Sequence, residues 1–223
     1  MKNLGKTKAI TWILAFTPLI LTLFFYGRLP EQIPTNWGIS GSVEAYGPKS
    51  TLFIIAGLSP VMALTKSVLP AIDPRRRNYK KFRGFYEGFY LVMMLFLLGL
   101  NCMVISESLN PGRLSVSSLV AGGCGLVFAF LGNMMPKVKS NFFVGVRTPW
   151  ALSDTEVWNK TQRLGGQLFF FGGILLVICA ALLEGGALFA VTMAVAFLAA
   201  LVPAAMSFFW YRSRGEKNPS ADE

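Results

Sequence analysis

The chain has 223 residues, of which 53% are hydrophobic and 14% are charged, and a formal net charge of +10. Soluble domains carry about 25% charged residues, so this composition excludes an ordinary soluble domain and indicates an integral membrane protein. The sequence contains no histidine, which excludes histidine metal sites, Ser-His-Asp triads and histidine proton relays. Cys102, Cys124 and Cys179 lie in apolar stretches without a CxxC pair, a pattern typical of packing.

Six apolar stretches are long enough, or nearly so, to cross a bilayer, which takes about 17–25 helical residues. They predict an all-α bundle of six transmembrane helices. The first stretch is too long for a signal-peptide core and has no small-residue cleavage site, so we expect it to be retained. The predicted spans are residues 9–26, 51–69, 88–106, 115–134, 167–183 and 187–210.

The basic residues alternate between the two sides of these spans. With both termini in the cytoplasm, every lysine and arginine except Arg28, Lys49 and Arg113 lies in a cytoplasmic segment, as the positive-inside rule requires. We therefore predict an N-in, C-in topology and no direct role in nucleic-acid binding. For the most basic loop, residues 73–86, a topology signal is the favoured interpretation. Contact with anionic lipid headgroups and docking of an acidic partner or nucleic acid are the alternatives.

Residues 28–50 form the longest segment on the predicted outer side. Pro30, Pro34 and the glycines that follow exclude a long helix here, so we expect a short ordered or semi-ordered loop. Trp37 and Tyr46 are expected at the membrane interface. The loop is either a connector or a recognition surface for a molecule that arrives from outside.

Small residues repeat along the fourth span, with Ala121, Gly125 and Ala129 at every fourth position and Gly132 seven residues after Gly125. Stripes of this kind let helices approach closely in lipid. The sequence therefore predicts tight packing of the fourth helix against a neighbour.

Charged residues are nearly absent from the predicted spans. Lys66 lies near the inner end of the second span, where it can extend to the headgroups, and Asn101 is the clearest buried polar residue. Ion-coupled transporters need intramembrane charges and paired helix breaks, so that class is disfavoured. An intramembrane enzyme would lack a base for a serine or cysteine nucleophile. The other polar residues of the spans are expected at their ends or edges: Glu87, Glu107, Asn133, Gln167 and Glu184.

The longest polar segment, residues 132–166, separates the fourth and fifth spans. Pro136 and Pro149 exclude one regular element in its first half. Ser153 and Glu156 match a capping box, which predicts a short amphipathic interfacial helix that leads into the fifth span. On that helix Val157, Thr161 and Leu164 share a face with Trp158 at its edge, and Asn159, Gln162 and Arg163 point elsewhere.

This polar segment resembles the signature of the SdpI immunity-protein family, multi-pass bacterial membrane proteins. Residues 28–50 resemble the uncharacterised domain that often precedes that signature, with Asn36 where family members commonly have histidine. The signature positions are Gly132, Asn133, Pro136, Lys137, Asn141, Phe142, Phe143, Gly145, Arg147, Thr148, Pro149, Trp150, Trp158 and Thr161. The shared positions of the outer loop are Leu29, Pro30, Ile33, Pro34, Thr35, Gly41, Tyr46 and Lys49.

The resemblance implies a non-enzymatic protein of the bacterial cytoplasmic membrane that protects the cell from a secreted toxic peptide. It also implies signalling, in which the engaged protein holds a cytoplasmic transcriptional repressor at the membrane. The implied partners are the peptide and the repressor, and membrane lipids are expected for any multi-pass protein. We expect no cofactor or metal, since Asn36 replaces the histidine on which metal binding or pH sensing would depend. The outer loop would face the peptide through Pro30, Pro34, Asn36, Trp37, Gly41, Tyr46 and Lys49. The cytoplasmic output would use Asn133, Pro136, Asn141, Gly145, Arg147, Thr148, Pro149, Trp150, Trp158 and Thr161.

Alternatives remain open at this point. The signature could be architectural, with Arg147 capping carbonyls or binding a lipid phosphate, Trp150 and Trp158 at the headgroups and Asn141 closing a turn. A transporter or flippase of peptides or lipids is the first alternative function, and an intramembrane enzyme is the second. We expect a two-span unit over residues 1–86, a four-span unit over 87–214 and a disordered tail over 215–223.

Overall fold

The computed structural model describes residues 2–215, with the side chains of residues 2–8, 76 and 215 left undescribed. Apart from Gly215, which ends the last helix, the tail predicted to be disordered lies outside these residues. Short 3₁₀ turns cover Lys49–Thr51, Arg76–Phe82 and Met135–Lys137. The elements are α1 (Lys2–Phe25), β1 (Gln32–Trp37), β2 (Val43–Pro48), α2 (Leu52–Ile72), α3 (Arg83–Leu109), α4 (Val116–Met134), α5 (Pro149–Ser153), α6 (Thr155–Leu182) and α7 (Gly185–Gly215).

The long helices confirm a helical, multi-pass membrane protein. Within the described residues, α2, α3, α4, α6 and α7 are each long and apolar enough to cross a membrane, and Ala9–Phe25 of α1 is a shorter apolar helix. The crossing of α1, and with it the count of six spans, stays a prediction, as does the N-in, C-in topology.

The helices pack as two groups joined through α3 and α4. In the first group α1, α2 and α3 contact one another, and the small side chains of Ala15 and Ala63 meet Met94 in its interior. Asn101 is fully buried there, as predicted, and its amide donates to Thr22 Oγ1 at 3.1 Å. In the second group α6 packs against both α4 and α7.

Glycines bring α4 and α6 into backbone contact. A Cβ on Gly132 would lie 2.2 Å from the backbone nitrogen of Phe170, and one on Gly173 would lie 2.3 Å from that of Ala129. Neither helix could hold a larger residue here without moving away. The small-residue stripe predicted for the fourth span is therefore confirmed, with α6 as its neighbour.

The predicted outer loop is a β-hairpin, so the otherwise all-α fold contains one small sheet. β1 and β2 pair antiparallel, and the register shifts between Pro34 and Asn36, where a residue without a backbone N–H can be accommodated. Ile33 is buried against Leu52 and Val104. The hairpin is thus fixed to one end of the bundle, which we call the hairpin end. The opposite end, with residues 73–82 and 138–154, we call the loop end.

The predicted short amphipathic helix is wrong, because its residues form the first turns of the single 28-residue helix α6. The cap is Asp154 and not Ser153: its Oδ1 accepts from the backbone N–H groups of Glu156 at 2.6 Å and Val157 at 3.0 Å. Ser153 ends the separate helix α5 and donates to the carbonyl of Pro149 at 2.6 Å.

Candidate functional site

The loop between α4 and α5, residues 138–148, is organised around Asn141; we call it the signature loop. Asn141 is fully buried. Its Oδ1 accepts from the backbone N–H groups of Phe143 at 2.9 Å and Val144 at 2.7 Å. Its Nδ2 donates to the carbonyls of Lys139 at 2.9 Å and Val144 at 3.1 Å. One amide side chain therefore replaces the regular hydrogen bonding that this backbone lacks.

A buried glutamine holds the second half of the signature loop. Gln162 of α6 donates from Nε2 to the carbonyl of Val146 at 2.8 Å and accepts from its N–H at 3.1 Å. Gly145 stands beside this pair with φ +98°, and a Cβ there would lie 2.5 Å from Gln162 Oε1. The prediction that Gln162 points away from the packed face is wrong. Its position one helical turn after Trp158 was the available signal.

Trp158 and Thr161 lie on the same buried side of α6. The indole of Trp158 is fully buried and donates to the carbonyl of Val138 at 2.8 Å, so its predicted place at the edge of the face or at the headgroups is wrong. Thr161 is also fully buried and donates to the carbonyl of Val157 at 2.8 Å. Both side chains support the packing under the signature loop.

Asp73, at the end of α2, joins the signature loop to the first helix group. It is 2% exposed, and its Oδ2 accepts from the backbone N–H of Phe142 at 3.0 Å and from the hydroxyl of Tyr79 at 2.9 Å. Its Oδ1 accepts from the backbone N–H of Arg75 at 2.7 Å. Sequence reasoning missed this residue, and the one available signal was a lone acid ahead of a basic run.

Two further side chains of the basic loop bind the signature loop. Arg75 donates to the carbonyl of Leu152 at 3.1 Å and to the hydroxyl of Ser140, and its guanidinium lies over the ring of Phe142. Asn78 donates to the carbonyl of Ser140 at 2.7 Å. The basic loop is therefore also a structural clamp, in addition to its predicted role as a topology signal.

α5 is attached to α7 through the Thr-Pro-Trp part of the signature. Thr148 caps α5 by accepting from the N–H of Ala151 at 3.1 Å, and its hydroxyl lies 2.7 Å from that of Ser207. Pro149 occupies the first turn of α5, where its missing donor costs nothing. Trp150 packs edge-on against Phe208 with ring centroids 5.1 Å apart.

The remaining signature side chains lie at the surface. Arg147 is exposed and donates to the carbonyl of Phe142, which is itself 40% exposed. Asn133 and Pro136 are exposed as well, with the Pro136 ring against Gly166. In this conformation a partner could touch these side chains but not Asn141, Trp158 or Thr161.

The hairpin presents most of its polar side chains to solvent. Asn36 donates to Glu44 across the strands at 3.3 Å, and Lys49 pairs with Glu31 at 2.9 Å. Tyr46 is 59% exposed. Of the two prolines named for this segment, Pro30 is exposed and Pro34 is buried. The hairpin turns at Gly41, which has φ +81°, and its Cα faces Ser117 of α4.

A groove of about 420 Å³ lies between the hairpin and the helices of both groups; we call it the outer groove. Trp37 lines it, and the indole N–H of Trp37 is buried without a hydrogen-bond partner among the described residues. A buried unpaired donor is rare in a folded protein. The rest of the lining is mainly apolar and includes Ile39, Met103, Val120, Leu188 and Phe189. Over the described part of the chain, no group of three or more cysteine and acidic side chains could hold a metal ion.

Two regions of the chain match known family models, and nearly its whole length matches one known protein. The SdpI/YfhL protein family model matches residues 137–207, and a domain of unknown function (DUF1648) matches residues 13–59. The chain is 23% identical to Immunity protein SdpI of Bacillus subtilis (strain 168) over 207 residues, which cover 93% of this chain and 97% of that protein. No solved structure gives a significant match. The predicted resemblance is confirmed: the chain carries the SdpI/YfhL family region behind a DUF1648 region.

Proposed function

We propose that this chain is an immunity protein of the bacterial cytoplasmic membrane that protects its cell from a secreted toxic peptide. The observation that carries the proposal is the similarity to an immunity protein over nearly the whole length of both chains. A shared length of this kind includes both the hairpin and the signature loop, so it supports a common function for the assembled molecule.

The hairpin end supplies the surface that suits a peptide. The outer groove is mainly apolar and open, which favours binding of apolar peptide side chains. The indole N–H of Trp37 is buried and has no hydrogen-bond partner among the described residues. It would donate to a peptide carbonyl after the ring turns toward the groove, which would end the cost of burying it unpaired. The exposed faces of Ile39 and Tyr46 extend this surface along the hairpin.

The loop end would carry the output. We infer that a cytoplasmic repressor contacts the exposed Arg147 and Phe142, since arginine is enriched in interface hot spots and Phe142 adds exposed apolar surface. The buried members of the signature would then act by holding this surface in shape.

The proposal is tested by Trp37→Phe, which keeps an aromatic ring and removes the N–H. The variant is expressed in a sensitive bacterium that is challenged with the secreted peptide, and survival is measured at equal membrane protein levels. Loss of one hydrogen bond of about 1 kcal/mol predicts roughly fivefold weaker protection. The matched control is Trp210→Phe, the same exchange near the loop end, which should leave protection unchanged.

Photo-crosslinking from positions 37 and 46 gives an independent measurement. A crosslinker at position 37, in the outer groove, should capture more peptide than a crosslinker at position 28, which lies at the hairpin end outside the groove. Full protection by Trp37→Phe, together with no capture at either hairpin position, would contradict the assignment of the outer groove.

A further inference from the structure

A second cavity, of about 510 Å³, lies at the loop end of the first helix group and shares no lining residue with the outer groove or the signature loop. We call it the basic pocket. Residues of α1, α2, α3 and the turn before α3 line it, among them Thr11, Trp12, Lys66, Lys80, Arg83 and Glu87. Three cations and one carboxylate therefore surround one space, which leaves an excess of positive charge in it.

The one carboxylate is already paired. Glu87 accepts from Arg83 Nε at 2.6 Å, through one of the five N–H groups that a guanidinium offers. Lys66 donates to the neutral hydroxyl of Thr11 at 2.7 Å. Among the side chains that the structure describes, neither Lys66 nor Lys80 has a carboxylate within ion-pair distance. The pocket thus holds donors and charge that its own residues do not neutralise.

We expect the pocket to lie at the depth of the bilayer headgroups. Lys66 lies six residues before the end of α2, or about 9 Å along the helix axis. At this depth a lysine ammonium is stable when it reaches an anion near the interface. Trp12 is 39% exposed beside it and stacks on Phe16 of the same helix, and indole rings prefer this layer.

We propose that the basic pocket binds a phosphate group, and that an anionic phospholipid of the adjoining leaflet supplies it. The phosphate oxygens accept charge-assisted hydrogen bonds from Lys66, Lys80 and the free N–H groups of Arg83. The glycerol and the upper acyl chains lie along Trp12 on the outer surface of α1. Such a lipid would bridge α1 and α3 at the loop end of the first helix group.

The test uses the full chain in nanodiscs that contain equal amounts of phosphatidylglycerol and phosphatidylcholine, with retained lipid counted by native mass spectrometry. Wild-type protein should retain phosphatidylglycerol in preference. Lys66→Gln and Lys80→Gln should each lower that retention at least about tenfold, the loss expected for one charge-assisted hydrogen bond to the phosphate. Lys80 is exposed, so its variant tests the site even if Lys66→Gln folds poorly.

The matched control is Lys81→Gln, an exposed neighbour of Lys80 outside the pocket lining, which should retain the lipid as wild type does. An equal loss of lipid retention in Lys81→Gln would mean that the general charge of the loop causes the effect, and it would contradict a specific site in the basic pocket. A second arm compares thermal unfolding in neutral detergent with inorganic phosphate and with phosphatidylglycerol. Stabilisation of wild type but not Lys66→Gln by the lipid alone supports the proposal; equal stabilisation by inorganic phosphate would make a free anion the ligand and overturn the lipid source.

Discussion

The two ends of the molecule hold their polar side chains in opposite ways. At the loop end Asn141, Gln162 and Trp158 are fully buried, and each is hydrogen-bonded to backbone groups. At the hairpin end the exposed side chains of Asn36 and Glu31 bond to Glu44 and Lys49, in contacts that water can replace. Buried hydrogen bonds are costly to break, whereas exposed ion pairs contribute little. We therefore expect that substitutions of these polar side chains impair folding at the loop end. At the hairpin end we expect that such substitutions leave folding intact and affect recognition.

Asn141→Ala should have the largest effect on stability. It leaves the N–H groups of Phe143 and Val144 and the carbonyl of Lys139 without their partner, which we expect to cost about 2–4 kcal/mol. The measurement is the free energy of unfolding in detergent micelles, obtained by titrating the protein with a denaturing detergent. Asn36→Ala in the hairpin is the matched exchange. Equal losses in the two variants would remove the contrast between the two ends.

Gly145→Ala should have the next largest effect. A side chain at φ +98° is strained, and its Cβ would meet Gln162 Oε1, which is held in place by its bonds to Val146. We expect a loss of about 2 kcal/mol by the same measurement. Gly27→Ala is the control, since a Cβ there meets nothing within 4 Å. A neutral Gly145→Ala would mean that the signature loop is not held by Gln162.

Gly41→Ala places the same exchange in the hairpin turn and should cost less. The strain at φ +81° is similar, but the Cβ would meet the hydroxyl of Ser117, an end that can rotate away. We expect a loss of about 1 kcal/mol. In the double variant with Ser117→Ala the loss should shrink, because the contact is gone and only the backbone strain remains.

The sequence predicts the helices well because their signals are local. Apolar length predicted α2, α3, α4, α6 and α7, and the glycine and alanine spacing predicted the close face of α4. The loop end was not predictable in the same way, since Asp73 bonds to Phe142, 69 residues away, and Gln162 bonds to Val146, 16 residues away. Neither of these long-range contacts produces a periodic pattern in the sequence. The hairpin was missed because Pro34, which argues against a strand, occupies a point where the register shifts.

The smallest effect is expected at Asn36, where the resemblance to the SdpI immunity-protein family implies a histidine. Its side chain is exposed on β1, and its one hydrogen bond, to Glu44, spans 3.3 Å in contact with solvent. Asn36→Ala and Asn36→His should therefore each change the free energy of unfolding by no more than about 0.5 kcal/mol. Because folding is then unchanged, any change in protection against the secreted peptide reports recognition alone. A large loss of stability in either variant would show that the hairpin, like the signature loop, depends on its polar side chains to fold.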